Sequence, residues 1–285
     1  MRASGSEFLL RASNPDGGWA YTAGQPSCVE ATSAAVVALR EDPGTAGARG
    51  RAVRWLIAAQ HRDGGWGFSA EDPESGWATA WAVLALTGVP GREAAQRGAG
   101  WLLAVKPQAL QDAMLAEARA KLAIDTGLAG WPWLPSQASW VEPTALALLA
   151  LSVLPEANAP AARLEEAVRY LADRRCAGGG WNFGNPVMLG ASLPPRAHPT
   201  AWALMAMARV RPNALRPEDT AALRAEMASD GGALALGLGA LALRTLGEED
   251  DGATTRLAAL QDADGSWNAN PFHTAIAIMA LRGAL

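Results

Sequence analysis

Two kinds of apolar segment alternate along this chain of 285 residues. In the first kind, apolar residues recur at steps of three or four with Arg and Glu between them, as in a helix with one wet face. In the second kind almost no charge interrupts the apolar residues, so the helix must be buried on all sides. The wet segments are Ala52–Gln60, Leu164–Arg175, Thr220–Ala228 and Thr254–Gln261, and the dry ones are Val29–Leu39, Trp77–Leu86, Val141–Leu151, His198–Ala208, Ala233–Leu243 and Phe272–Leu281.

A glycine-rich turn, in most cases with a tryptophan, joins each wet segment to the dry segment after it. Two consecutive glycines permit positive φ and end a helix sharply, and a tryptophan after them can pack back between helices. Gln60 and Gln261 stand six residues before such a tryptophan and can bond the loose backbone of the turn. The turns read NPDGGWAY (Asn14–Tyr21), HRDGGWGF (His61–Phe68), AGWPW (Ala129–Trp133), AGGGWNF (Ala177–Phe183), DADGSWNA (Asp262–Ala269) and, in degenerate form, SDGGALAL (Ser229–Leu236).

Six units of wet helix, turn and dry helix predict two concentric rings with the dry helices inside. Ser6–Ser13 supplies the first outer helix, and residues 92–125 are long enough for an elongated or doubled outer element. Closure of the ring buries the faces that an open solenoid leaves exposed at its ends. The predicted fold is therefore an all-α α6/α6 toroid, with residues 1–285 in a single domain.

The composition limits the classes of partner that the chain can bind. Half of the residues are hydrophobic and the net charge is −4, so the chain can bury a large core and offers no basic cluster for a nucleic acid. Two cysteines are too few for a disulfide framework and suggest a reducing compartment. We find no signal peptide and no apolar run long enough for a transmembrane helix, so the expected location is the cytoplasm.

The segments AVRWLIAAQHRDGGWGF and TRLAALQDADGSW resemble the Gln–Trp repeats of squalene–hopene and oxidosqualene cyclases. The same toroid is known for the β subunits of protein prenyltransferases and for the thioester domains of complement-like proteins. The resemblance covers nearly the whole chain and implies the toroid, whereas the activity must be tested against each family's chemistry.

The acid motif of the cyclases, Asp-x-Asp-Asp with a protonated middle carboxyl, is missing from the predicted inner helices. The nearest acidic run, Glu248–Asp251, follows the fifth inner helix in a glycine-flanked loop and is typical of a solvated turn. The resemblance to thioester domains fails because no Gln stands three residues after Cys28. For the prenyltransferases, His273 matches the zinc-binding histidine, but no Asp-x-Cys pair is present.

All inner helices begin at the same end of a toroid, so their first turns form one mouth. Closure of the ring brings Cys28 and Glu30 towards His273, and a thiolate, a carboxylate and an imidazole can hold zinc. A zinc site with Cys28 and His273 is therefore one prediction, and it implies prenyl transfer with a partner subunit. The opposing interpretation is that a glutamate in a first helical turn is favoured by the helix dipole and that a cysteine among small residues only packs.

The paired motifs VEAT (Val29–Thr32) and VEPT (Val141–Thr144) predict that Glu30 and Glu142 face one another at the mouth. Crowding would raise the pKa of one carboxyl enough to make it a general acid. His198 is the third catalytic candidate. Aromatic faces that could line a site for an apolar isoprenoid ligand, or stabilise a carbocation, come from Trp77, Trp81, Trp140, Trp202 and Phe272.

Three functional hypotheses follow. The first is a terpenoid-cyclase-like toroid that binds an isoprenoid-type ligand and cyclises it from Glu30 or Glu142. The second is the zinc-dependent prenyltransferase, and the third is a non-catalytic interaction module whose alanine-rich inner helices fill the centre. The sequence leaves open whether the chain is an enzyme, which ligand it takes and whether it is oligomeric.

Overall fold

The structure is a computed structural model that describes residues 3–88, 90–108 and 124–283. Its helices alternate between two environments, as the sequence pattern predicts. The even-numbered helices in chain order are buried on nearly every side: α2 (Val29–Ala38), α4 (Ala78–Ala85), α6 (Val141–Ser152), α8 (Ala197–Val210), α10 (Ala233–Thr245) and α12 (Pro271–Arg282).

The odd-numbered helices bury one face and expose the other. Their apolar residues face the even-numbered helices, and their Arg and Glu side chains face outward, because only one stripe of each is apolar. They are α1 (Gly5–Ala12), α3 (Ala46–Ala58), α5 (Arg92–Ala104), α7 (Ala161–Asp173), α9 (Pro217–Ser229) and α11 (Asp251–Ala259).

The buried helices form a closed inner ring. Each packs against the next one along the chain, from α2 through α4, α6, α8 and α10 to α12, and α12 packs against α2. The exposed helices pack on the outside of this ring. The predicted all-α toroid is confirmed, although part of the outer element predicted over residues 92–125 lies outside the described residues.

A repeated clasp joins each tryptophan turn to its two helices. The indole Nε1 of Trp66 donates to the carbonyl of Leu56 at the end of α3, at 2.7 Å, and its backbone N–H donates to Thr79 Oγ1 on α4, at 2.9 Å. The equivalent threonines in the other four units are Thr32 for Trp19, Thr144 for Trp131, Thr200 for Trp181 and Thr274 for Trp267. Because the tryptophans are fully or almost fully buried, the clasp satisfies polar groups that water cannot reach.

The glutamines have the role that the sequence predicts. Gln60 Nε2 donates to the carbonyls of Gly64 and Ala94, at 2.7 and 2.9 Å, and Gln261 Nε2 donates to Gly265 at 3.0 Å. In the fourth unit a buried ion pair, Arg175 Nε to Asp219 Oδ1 at 2.8 Å, stands beside the turn instead.

The fifth unit lacks the tryptophan and uses close packing. A side chain at Gly237 would press on Ile276, and one at Gly239 would overlap Met227, so these two glycines let α10 approach its neighbours. The sequence predicts that the acidic run after α10 is a solvated turn. In the structure Glu248 and Asp250 each form an ion pair with Arg224, at N–O distances of 2.9 Å.

Two short antiparallel strand pairs and three 3₁₀ helices complete the described part of the chain. The strands are β1 (Trp131–Pro132) with β2 (Ser139–Trp140), and β3 (Val187–Met188) with β4 (Ala191–Ser192); the 3₁₀ helices are Pro43–Thr45, Pro155–Ala157 and Pro212–Ala214. Of the described helices, none has both the length and the apolar character needed to cross a bilayer.

Candidate active site

Glu30 is the second residue of α2 and lies at the mouth of the inner ring. The helix starts there because the N–H of Cys28 donates to the carbonyl of Trp19, and the N–H of Val29 donates to Phe68. Only 7% of Glu30 is exposed, and its Oε2 accepts a hydrogen bond from the Tyr21 hydroxyl. A carboxyl group is thus held nearly out of water, with one oxygen fixed by a phenol.

Glu142 occupies the same position in α6, and the two helices flank α4. Burial raises the pKa of Glu30 well above its ordinary value, and the Glu142 carboxyl raises that pKa further, while the Trp81 indole partly offsets the rise. Burial also raises the pKa of Glu142, to about 7. Burial and the neighbouring carboxyl therefore both favour the protonated form of Glu30, which is the state that a proton donor needs.

Three aromatic side chains fill the centre of the ring next to Glu30. The rings of Trp81 and Trp202 meet edge to face with their centroids 5.3 Å apart, and Phe272 packs on Trp81 at 5.6 Å. The Trp81 Nε1 is buried and forms no hydrogen bond of normal geometry, although the indole lowers the pKa of Glu30 and so offsets part of the rise. The acid therefore borders a group of aromatic faces of the kind that stabilise positive charge.

Two of the predicted ligand-binding aromatics lie elsewhere. Trp77 is half-buried and packs edge to face on Trp133 at 5.2 Å, and Trp140 at the start of α6 is 38% exposed. Both therefore stand at the rim of the mouth, whereas Trp81, Trp202 and Phe272 lie in its depth.

Tyr21 is the functional candidate that the sequence reasoning missed. Its ring packs between Phe68, at 6.1 Å, and Phe272, at 5.8 Å. A signal for it is present in the sequence, because an aromatic residue stands two positions after the turn tryptophan in four units: Tyr21, Phe68, Trp133 and Phe183. In three of these units the carbonyl of that aromatic residue accepts an N–H at the start of the preceding unit's inner helix. The N–H of Val29 donates to Phe68, that of Trp77 to Trp133 and that of Val141 to Phe183.

The histidines at the mouth are neutral groups. His198 is the second residue of α8, and burial lowers its pKa, with Asp230 acting in the opposite direction. Burial also lowers the pKa of His273, and His198 lowers it further. The two imidazoles therefore influence each other, whereas the Glu30 pKa responds to Glu142 and Trp81.

Cys28 is the N-cap of α2 and is 1% exposed. Burial raises the pKa of its thiol to about 11, so it is not a ready thiolate for a metal. Its sequence-predicted zinc partner, His273, contacts Asn268 through Nδ1 at 3.2 Å. Within residues 3–88, 90–108 and 124–283, no group of three or more His, Cys, Asp or Glu side chains is arranged to hold a metal ion.

Comparisons with known proteins agree with this architecture. Residues 1–114 match the family described as the squalene-hopene cyclase C-terminal domain. A crystal structure of a protein from Actinoplanes is similar over 98% of this chain and 97% of that chain, with a TM-score of 0.63 and 20% identity. The type II terpene cyclase MstE from Scytonema, in complex with the product merosterolic acid A, is similar over 98% of this chain and 94% of that chain, with a TM-score of 0.60 and 17% identity.

The chain has an α/α-toroid fold similar to that of the type II terpene cyclase. The predicted resemblance to the terpenoid cyclase superfamily is confirmed. A search of curated proteins returned no match. The toroid also carries other activities, because an α-amylase from Clostridium perfringens is similar over 99% of both chains, with a TM-score of 0.65 and 11% identity. The chemistry of this toroid must therefore be argued from its own side chains.

Proposed function

We propose that this toroid is an acid-initiated cyclase that protonates an alkene of an isoprenoid-type ligand from Glu30. The observation that carries the proposal is the buried Glu30 carboxyl, kept neutral by its surroundings and by Glu142, beside the aromatic group of Trp81, Trp202 and Phe272. The Scytonema terpene cyclase, which has a similar fold, has been seen in complex with geranylgeranyl dihydroxybenzoate as its substrate.

The proposed reaction begins with the proton on the Glu30 oxygen that does not accept from Tyr21. That proton moves to one carbon of a terminal alkene, the π electrons form the new C–H bond, and the other carbon becomes a tertiary cation. Attack by the next alkene of the same chain closes a ring and moves the cation onward, until water accepts a proton from the final cation. The Glu30 carboxylate then regains a proton from solvent, so the net reaction is an isomerisation. The aromatic faces stabilise the moving positive charge, because they are polarised and shielded from water.

Glu142 and Tyr21 are positioning residues in this proposal. Burial raises the pKa of Glu30, and Glu142 raises it further, which favours the protonated form of the acid. Tyr21 donates to one oxygen of Glu30 and leaves the other for the substrate. The ligand enters from the mouth, where Phe68 and Trp140 present exposed aromatic surface.

The test is conversion of polyenes by the purified protein. Squalene and geranylgeranyl dihydroxybenzoate are incubated with the wild-type chain, and cyclic isomers are detected by chromatography with mass spectrometry. We expect cyclic product from at least one polyene and a loss of about 10²–10⁴-fold in rate for Glu30→Gln, which keeps the shape and removes the acid. Glu93→Gln is the matched control, since Glu93 also stands in a first helical turn but on the exposed face of α5.

Two results would overturn the proposal. Full activity of Glu30→Gln would show that another group supplies the proton. A wild-type protein that returns every polyene unchanged would favour a non-catalytic module, for which the filled centre of the ring is the supporting observation.

A further inference from the structure

A second site lies at the opposite end of the inner ring, where the buried helices end. A cavity of about 260 Å³ opens there, and each of the six inner helices, or the residue directly after it, contributes to its wall. This volume is slightly below the usual range of about 300–1,000 Å³ for small-molecule sites. The cavity therefore suits a small ligand or one short chain.

The floor of this cavity is apolar. It is formed by Trp81, Leu149, Met205 and Leu241, all of which are buried. Trp81 stands between the cavity and Glu30, because its side chain lines the cavity and also lowers the pKa of the Glu30 carboxyl at the mouth. An apolar group that enters the cavity would leave water and gain about 25 cal/mol for each Å² of apolar surface buried.

The rim of the cavity is cationic. Arg40, just after the end of α2, lines it together with Arg209 from α8 and Arg244 from α10. The hydroxyl groups of Thr87 and Thr245 also lie there. No Asp or Glu is among the described residues that line the cavity. Three guanidinium groups without a carboxylate between them form a positive opening above an apolar floor.

Two of these arginines have guanidinium N–H groups that form no hydrogen bond within the described part of the chain. Arg40 donates from Nη2 to the carbonyl of Leu84, at 3.2 Å, and Glu41 acts on it electrostatically. Within the described part of the chain, Arg209 and Arg244 form no hydrogen bond or ion pair through their side chains. The guanidinium group of Arg244 lies beside Gly283, which also lines the cavity.

Arginine at the end of a helix has another explanation, since it can bond the last carbonyls and offset the helix dipole. Arg282 has this role, with Nη1 donating to the carbonyl of Ala38 at 3.3 Å. Arg209 and Arg244 make no such bond, although they stand at equivalent helix ends. Both side chains are exposed to solvent at the rim of one cavity. Their guanidinium groups are therefore free to bind an anionic ligand through paired hydrogen bonds.

We propose that this cavity binds an anionic amphiphile, a short acyl or prenyl chain with a carboxylate or phosphate head. The chain lies on Trp81 and Met205, and the head pairs with Arg209 and Arg244. This site is separate from the Glu30 mouth, so the proposal stands or falls independently of the cyclase.

Calorimetric titration with three probes tests the proposal: decanoate, decyl phosphate and the uncharged decanol. The variant is the double substitution Arg209→Gln and Arg244→Gln, and the control is Arg62→Gln, an exposed arginine in the turn between α3 and α4. We expect the wild-type protein and the control to bind at least one anion, and the double variant to bind it at least tenfold more weakly. Decanol should bind the wild-type protein and the double variant with the same affinity, and the tighter of the two anions identifies the head group.

The site is located by the tryptophan fluorescence of the complex. The change in emission on binding should be largely lost in Trp81→Phe, because Trp81 forms part of the floor. The proposal is overturned if neither anion binds the wild-type protein, if the double variant binds as tightly as wild type, or if Arg62→Gln weakens binding equally. A double variant that is less stable but binds normally would leave these arginines with only their helix-end role.

Discussion

At the residue scale, the chemistry of the candidate site depends on which carboxyl groups are buried and which are exposed to water. Glu30 and Glu142 hold equivalent positions in two inner helices, and burial makes both reluctant to ionise. Exposed glutamates in the first turns of outer helices, such as Glu93, have no such surroundings. The same residue type at the same helical position is thus exposed to water outside the ring and buried inside it.

Glu142 makes stability depend on pH in a defined direction. Its pKa rises from an ordinary 4.5 to about 7 in the folded protein, so the folded state holds the proton more tightly than the unfolded state. The stabilisation is complete below pH 4.5 and is lost as the pH rises through 7, by about 3 kcal/mol for this group. Glu142→Gln should lose this fall in the free energy of unfolding, measured by urea unfolding between pH 4.5 and 7.5.

The same titration of Glu93→Gln provides the control, since that substitution removes an exposed carboxyl and leaves Glu30 and Glu142 in place. If Glu142→Gln keeps the full pH dependence of the wild-type protein, the carboxyl of Glu142 is not the group that burial holds neutral.

Much of this site could be predicted from the sequence, because VEAT and VEPT place both glutamates at the start of inner helices. Tyr21 could not be predicted to bond Glu30, since that contact depends on how a loop folds over the mouth. The three arginines of the cavity at the other end were also missed. They stand at the ends of separate helices, and only the closed ring brings them together.

At the scale of the element, the repeat is a clasp between a turn and two helices. The dry segments predicted from the sequence agree with the inner helices to within three residues at each end. The turn tryptophans were predicted to be wedges, whereas the threonine that accepts each backbone N–H was not predicted. The short strands β1 to β4 were missed as well, because two residues are too few for an alternating pattern.

Removal of one clasp threonine should be costly. Thr79→Val keeps the volume of the side chain but leaves the buried N–H of Trp66 without its acceptor, which should lower the free energy of unfolding by about 1–3 kcal/mol. Thr255→Val on the exposed face of α11 is the control and should change it by less than about 0.5 kcal/mol. Equal unfolding midpoints for the two variants in urea would mean that the threonine is not part of the clasp.

At the scale of the whole molecule, the first and last elements close the ring. The carbonyl of Asp264 accepts from Arg11 Nη2 at 2.6 Å, and Arg282 on α12 reaches Ser6 Oγ at 3.1 Å and Asp42 Oδ2 at 3.5 Å. Closure was predicted from the repeated helix pairs, because a closed ring buries the faces that an open solenoid leaves exposed at its ends. The individual closing bonds depend on long side chains and have no signature in the sequence.

Arg282→Ala should therefore destabilise the contact between the first and last elements more than it destabilises the other helices. We expect the free energy of unfolding to fall by about 1–2 kcal/mol, with faster amide hydrogen exchange first in α1, α2 and α12. Hydrogen exchange with mass spectrometry measures the effect, and Arg62→Ala is the control. Faster exchange spread evenly over all six inner helices would contradict a local role in closure.

The proposed function requires that Glu30 is a buried acid that keeps its proton at neutral pH. Carbon-13 NMR of protein labelled at the glutamate carboxyl groups tests it without a substrate, with Glu30→Gln assigning the resonance. We expect this carboxyl to remain protonated at pH 7, and we expect Glu142→Gln to lower its pKa because the neighbouring negative charge is gone. A Glu30 carboxyl that titrates near its ordinary value of 4.5 would contradict the proposed role of Glu30 as the acid.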